Sequence, residues 1–297
     1  MFLEQNNCKI CSSKGVELFN TKFDNKEILN FFNSEYSKKT SKFLKKKIGK
    51  KNFILKKCSI CQFIWQKNIP KSFFLKQLYD KIIDPIDSFK KSEHINVSQK
   101  KYFQNEINFF QNFHQKKNLN ILDFGAGWGT WLICVKKNCS NIFAMEFSSI
   151  RKKHLIKNNI KVIDFKDMKY NNYFHVVRLE QVLEHVADLK GIISDLKKIV
   201  KKGGILSIGV PNGKYEIKKE IIKLKKGPIQ PLEHLNCFNN KSLKILFGKN
   251  GFKSMSIFKI ITTFLRTKRF DYHSIRYILV LIKNSLLSTK INFIKIK

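Results

Sequence analysis

The stretch LNILDFGAGWGTWL, residues 119–132, decides the fold. Its apolar start reads as a short buried strand that runs straight into Gly125, Gly127 and Gly129 before a second apolar segment with helical spacing. Glycines at such a turn let the backbone reverse tightly and approach a ligand, and the first N–H groups of the next helix attract a carboxylate or phosphate. Outward from this turn, short apolar runs near 141–146, 160–163, 174–180 and 204–210 alternate with amphipathic helices near 128–138, 148–158 and 188–201. That alternation predicts an α/β fold, a Rossmann-like, mostly parallel seven-stranded sheet with flanking helices. The second strand ends in Glu146, seventeen residues beyond Gly129, where a carboxylate can accept both ribose hydroxyls of a bound nucleoside. A dinucleotide enzyme shares this logic but wants a third glycine where the chain has Thr130. A helix over YFQNEINFFQNFHQ (102–115) leads into the sheet. After Gly251, FKSMSIFKI is expected as a strand and INFIKIK (291–297) as an antiparallel edge strand. HSIRYILVLIKNSLL (273–287) is expected as a packing helix, with peripheral membrane contact as its alternative.

Four of the seven cysteines form two C-x2-C pairs, Cys8/Cys11 and Cys58/Cys61. In a reducing compartment two such pairs read as a four-cysteine zinc site, because a two-residue gap turns both thiolates toward one metal about 2.3 Å away. Unrelated turns or a redox pair are the alternatives. The pairs are 46 residues apart, and TKFDNKEILNFFNSEYSKKTSKFLKKKIGKK between them is Lys-rich, expected as an inserted loop or a short helical excursion. A metal closing so long a loop stabilises through chain entropy, and four thiolates leave no open coordination position, so the zinc is expected to be structural. The expected organisation is a zinc-ribbon-like module over 1–80, leading helices and a linker over 81–117, and the ligand-binding domain over 118–297.

LDFGAGWGTWL, AMEFS, VVRLEQVLEHVADL, LKKIVKKGGILSIGVPN and PLEHLNCFNNKSLKILFGKNGF follow one another as in class I S-adenosylmethionine methyltransferases. The chain resembles that family over about residues 100–260, most of all the branch acting on sugars, quinones and other small metabolites. KKCSICQFIWQKNIP followed by LKQLYDKI resembles the N-terminal module of many bacterial sugar-modifying methyltransferases, with Cys58, Cys61, Phe63 to Trp65, Pro70 and Tyr79 in matching places. The resemblance implies S-adenosylmethionine as cofactor. It implies Asp123, Gly125, Ala126, Gly127 and Gly129 around the methionine end, Glu146 on the ribose, Asp164 and Phe165 flanking the adenine, and Glu180 and Gln181 facing the methyl group or the ligand. Two positions depart from it: His175 is expected to cap its strand, and Arg178 to face an anion or a neighbouring carboxylate.

Glu233-His234 resembles the Glu-His pair of sugar C-methyltransferases, although Pro231 stands where those enzymes carry a tyrosine. A histidine beside a carboxylate suits proton removal at neutral pH, which makes the pair the catalytic candidate; holding the loop ahead of the next helix is the competing role. Glu184-His185, in VLEHV, could also reach the pocket but is expected rather as a packed turn. YEIKKEIIKLKKGPIQ (215–230) is expected as a lid or acceptor-binding insertion, or as a solvated helix face.

The formal charge of +36 invites an anionic partner. Arginine, the preferred phosphate fork, occurs only at 151, 178, 266, 269 and 276, and compositional drift toward Lys, Asn, Ile and Phe accounts for the charge equally well. The resemblance implies a small-molecule acceptor, a sugar or sugar nucleotide of surface polysaccharide synthesis, with an RNA methyltransferase or a catalytically silent scaffold as alternatives. The lack of a leader-like N-terminus and of a spanning apolar run points to the cytoplasm.

Overall fold

The computed structural model describes residues 2–71, 73–74, 89–90, 92, 94–139, 141–164, 170–213, 228–266, 272–287 and 290–296. They divide into two compact units: Met1–Ser88 with Leu183–Lys190 and Val210–Leu246, and Phe89–Val182 with Gly191–Gly209 and Phe247–Lys297.

The chain begins with β1 (Phe2–Glu4), β2 (Gly15–Lys22), α1 (Lys26–Glu35), α2 (Lys38–Ile48), β3 (Asn52–Cys58), β4 (Ile64–Gln66) and β5 (Asn68–Pro70). β2, β3 and β4 form an antiparallel meander. The Lys-rich stretch between the cysteine pairs takes the helical form. Asn25 and Ser37 cap α1 and α2 by accepting from the N–H groups of Glu27 and Thr40, and charged residues face out. Phe23, Phe31, Phe32, Leu44 and Ile48 point inward against Phe53, so the excursion supplies much of this unit's core.

Next come α3 (Val97–His114), β6 (Asn120–Phe124), α4 (Thr130–Val135), β7 (Asn141–Met145), α5 (Ser149–Lys157), β8 (Lys161–Val162), β9 (Phe174–Glu180), α6 (Leu189–Ile199) and β10 (Val200–Gly209). They are followed by β11 (Asn236–Cys237), α7 (Asn240–Lys249), β12 (Phe252–Ser254), α8 (Ile257–Leu265), α9 (Tyr272–Leu287) and β13 (Lys290–Lys295). The large sheet has the order β12-β13-β10-β9-β6-β7-β8, with β13 antiparallel to both neighbours and the others parallel. This is the expected seven-stranded, mostly parallel sheet. The chain leaves β6 through β7 and β8 and returns to place β9 on the other side of β6. Such a reversal opens a crevice at the carboxyl ends of the strands, next to the turn that follows β6. β11 pairs instead with β4 and completes the small sheet of the first unit.

Two expectations near the C-terminus are corrected. The run after Gly251 is a strand only to Ser254; Ser256 then accepts from the N–H of Lys259 and starts α8, whose Ile260 and Phe264 recur at helical spacing and are buried. β13 is antiparallel but not an edge, because it lies between β10 and β12, and Ile291, Asn292 and Phe293 are buried on both faces. The packing role of α9 holds, with Tyr277 and Leu281 in the core beside Phe109 and Ile107. Each such side chain, fully buried, contributes about 1.5–3 kcal/mol. Among the described residues, no helix is long and apolar enough to cross a membrane.

Candidate active site

Gly125, Gly127 and Gly129 have φ of +72°, +58° and +74°, the left-handed region that a Cβ resists. The N–H groups of Gly125 and Ala126 donate to the carbonyl of Met145 at 2.8 and 3.1 Å, which ties the turn to the end of β7. A Cβ on Gly125 would strike Val182 and one on Gly129 would strike Leu155, whereas one on Gly127 would meet nothing within 4 Å. The turn is thus packed at its two ends and open in the middle. At that opening Gly127 N–H donates to Glu146 Oε2 at 2.8 Å, and Glu146 Oε1 accepts from Phe147 and Ser148 N–H at 2.7 and 2.9 Å. Three backbone donors therefore fix a buried carboxylate beside the glycine turn. Trp128, which sequence reasoning passed over, packs on Phe89 and His154 at 4.9 and 5.4 Å, with Arg151 over its ring. Its position inside the turn was the available signal. Asp164 follows β8, while Phe165, Tyr79 and residues 215–227 of the expected lid lie outside the described residues.

Asp123 sits one residue before the end of β6, directly opposite Arg178 of β9. Arg178 donates to Asp123 at 3.1 Å, Glu106 at 3.2 Å and Glu180 at 3.4 Å, and Lys290 reaches Glu106 at 3.1 Å and Glu180 at 2.9 Å. The guanidinium also lies 4.9 Å from the Trp131 ring centroid. Burial pushes Asp123 up to about 6 against the pull of Arg178. Burial opposes ionisation of Glu106 too, but Lys290 and Arg178 outweigh it and hold that carboxyl below its usual value. Arg178 thus faces carboxylates, as expected, and His175 accepts from the Asn120 N–H at 2.9 Å. Glycine at 209 makes room for Glu180, whose carboxylate occupies the place a Cβ would take. Gln181, exposed and left-handed at φ +55°, donates its N–H to the Gly209 carbonyl at 2.7 Å. Glu106 and Lys290 were not found from sequence, because α3 and β13 carry no local motif at those positions.

In the first unit, a single 3-10 turn, Leu183–His185, is clamped by Asn236, whose Nδ2 donates to the carbonyls of Leu183 and Val186 at 2.9 and 2.6 Å. Lys9, inside the first cysteine pair, donates to Asn236 Oδ1 at 3.0 Å and to the Ala187 carbonyl at 3.2 Å. Leu183 and Glu184 are fully buried, as a packed turn requires. The fold also brings one metal-binding atom from each of Glu184, His185 and His234 within 4.8 Å of one another. His185 Nδ1 faces the Glu233 carbonyl at 3.1 Å and His234 Nδ1 the Pro228 carbonyl at 3.3 Å, with the two rings 4.8 Å apart. Burial, then the neighbouring His234, lowers His185 to about 3, so its ring is neutral. The Glu233 carboxylate accepts from the Tyr36 hydroxyl at the end of α1, and burial raises its pKa. Tyr36 lies in the Lys-rich excursion, where nothing local in the sequence signals it.

The family profile described as methyltransferase domain matches residues 94–257, just over half of the chain and the whole stretch from α3 into α8. The chain belongs to the methyltransferase domain family. It is a methyltransferase built on a Rossmann-like, mostly parallel seven-stranded sheet. Among its relatives, an uncharacterized protein of Methanocaldococcus jannaschii is 28% identical over 183 residues, covering 60% of this methyltransferase and 78% of that protein. The ubiquinone biosynthesis O-methyltransferase of Pelagibacter ubique is 27% identical over 143 residues, covering 43% of this chain and 59% of its own length. The solved structure of geranyl diphosphate C-methyltransferase from Streptomyces coelicolor aligns with a TM-score of 0.37 at 10% identity, covering 60% of this chain and 71% of that one.

The methyltransferase carries its four N-terminal thiols in one cluster. Cys8 and Cys61 Sγ are 3.5 Å apart, Cys11 and Cys58 3.4 Å, and Cys11 and Cys61 3.9 Å. The two pairs are built alike: Cys8 and Cys58 N–H donate to the carbonyls of Ser13 and Phe63, and Ser12 and Gln62, with φ of +63° and +61°, donate back to Cys8 and Cys58. Such repeated turns aim amides at sulfur, as Ile10 and Cys61 N–H do at 3.4 Å. The hydrogen bond with Cys61 draws the Cys8 thiol down to about 5, while Cys61 is raised. Ligands about 2.3 Å from a tetrahedral ion stand about 3.8 Å apart, so this donor set fits zinc with little rearrangement.

Proposed function

We propose that this methyltransferase moves the methyl group of S-adenosylmethionine to a small metabolite, a sugar or sugar nucleotide of surface polysaccharide biosynthesis. The observation that carries the cofactor assignment is the open backbone at Gly127 beside the fixed carboxylate of Glu146. In this assignment Asp123, Gly125, Ala126, Gly127 and Gly129 surround the methionine end, and Glu146 takes the ribose hydroxyls. Asp164 and Phe165 flank the adenine, and Glu180 and Gln181 border the reacting side. The sulfonium methyl is already electrophilic, so the chain has only to align the acceptor, exclude water and accept a proton. Glu233 and His234 are assigned to the acceptor's proton. Cys8, Cys11, Cys58 and Cys61 hold one structural Zn2+, and Lys9 carries the order of that site to Asn236 and the Leu183–His185 turn. The choice of acceptor rests on the resemblance of residues 56–70 to the module of sugar-modifying enzymes.

Calorimetry with S-adenosylhomocysteine should give a saturable heat, and Glu146→Gln should weaken binding about 10- to 100-fold by removing a charged acceptor. Folded protein that gives no heat refutes the cofactor site. Methyl-labelled cofactor offered with sugar nucleotides and with RNA should label the former. RNA is the second candidate because Lys42, Lys45, Lys46, Lys47, Lys50 and Lys51 line a cavity of about 520 Å³ suited to phosphates. Label in RNA alone would reassign the acceptor.

A further inference from the structure

We propose that Glu184, His185 and His234 form a second metal site, for a divalent first-row transition ion, separate from the four thiols. Two imidazoles and a carboxylate are a donor set that such ions accept, and it differs from the four sulfurs in leaving coordination positions open. The three donor atoms converge within 4.8 Å, and His185 Nε2 lies 3.9 Å from Glu184 Oε1. An ion with bonds of about 2.1 Å holds adjacent ligands about 3–3.5 Å apart, so side-chain rotation of about 1 Å closes the triangle. The tautomers suit it. A carbonyl oxygen can only accept, so the carbonyls of Glu233 and Pro228 place the protons of His185 and His234 on Nδ1 and make Nε2 the ligating atom of each ring. Carbonyl partners behind ligating histidines are how metal sites orient their rings. The turn that bears Glu184 and His185 is held from behind by Asn236 and Lys9, so the donors are presented on rigid backbone.

Glu184 is fully excluded from water, where its attraction to a divalent ion is weakly screened. The role of the ion rests on the methyl-transfer reading, whereas its binding does not. Glu184, His185 and His234 would hold the ion, whose chemistry would be to lower the pKa of a bound oxygen.

The test is total metal per chain after dialysis of the purified protein against excess Co2+ and removal of the unbound ion, read with the visible spectrum. Two ions per chain are expected, one giving intense thiolate-to-cobalt bands and one giving only the weak bands of a nitrogen and oxygen site. His185→Gln and His234→Gln should each lose the second ion, with affinity falling at least about 100-fold, and should keep the thiolate bands and the S-adenosylhomocysteine heat. Should either variant fail to fold, Glu184→Gln carries the same expectation. One ion per chain in the wild type, or two in these variants, overturns the proposal. A protein that binds S-adenosylhomocysteine but takes only one ion loses the metal site and keeps the methyl-transfer reading. A protein that takes two ions and gives no cofactor heat loses only the latter.

Discussion

The four-thiol cluster of the first unit and the Arg178 cluster of the second both bury titratable groups, but only the second contains its own counter-charges. Around Arg178 and Lys290, three carboxylates are paired at 2.9–3.4 Å. Among the described residues no cationic side chain is bonded to the four sulfurs; their hydrogen bonds are with one another, with Ser13 and with backbone amides. The difference teaches that the second cluster is complete as a piece of protein, whereas the first, on the proposed zinc reading, takes its cation from solution. A buried charge set that compensates itself fails when one member is removed; one that borrows its cation fails when the solution withdraws it.

The largest effect should therefore come from chelation. A structural zinc is worth on the order of 10 kcal/mol in small modules, as much as a whole domain's stability. A strong chelator, or Cys58→Ser, should unfold the first unit, seen as loss of Trp65 burial by fluorescence and of protection over residues 15–66 in hydrogen exchange. Undiminished protection after verified metal removal would erase the contrast between the clusters. The second unit should ignore the chelator and respond to Arg178→Met, which leaves Asp123 and Glu106 buried without their guanidinium and should cost about 3–5 kcal/mol in urea unfolding.

Smaller effects sharpen the picture at the glycine turn. Gly129→Ala combines a left-handed φ with a clash on Leu155 and should cost about 2–4 kcal/mol. Gly127→Ala has only the φ to overcome and should cost about 1 kcal/mol, yet it should lose more cofactor affinity than Gly129→Ala loses per unit of stability. Equal effects of the two on binding would remove the case for the opening at Gly127. The mildest test is acid. Burial lowers His114 and His175 from 6.5 to about 4, so both are neutral in the folded protein where the unfolded chain would protonate them. Stability present above about pH 6.5 should fall as the pH drops toward 4, and His175→Gln should flatten that slope in melting experiments. A slope of the opposite sign would place the protons elsewhere.

Much of the candidate site's geometry was readable in advance because its parts are neighbours in the chain. The turn after Phe124, the acid just after β7 and the two cysteine pairs are each set by a few adjacent residues. The departures arose where one residue's role depends on a distant one. Ser256 looked like the middle of a strand because its capping bond to Lys259 outcompetes the apolar run. β13 looked like an edge because its alternation says nothing of β12 on its far side. Glu233 looked like the partner of the histidine next to it, yet its carboxylate reaches Tyr36, and the carboxylate that gathers with His185 and His234 is Glu184.

By itself the sequence determined the parallel sheet, the glycine turn with Glu146, and the pairing of four cysteines, since strand period, backbone freedom and ligand spacing are local properties of a chain. Tertiary structure alone decided that Glu106 and Lys290 enclose Arg178, that β11 completes a sheet begun by β2, and that Glu184, His185 and His234 converge. Those arrangements join residues far apart in sequence, and they exist only once burial has made each group's environment depend on the others.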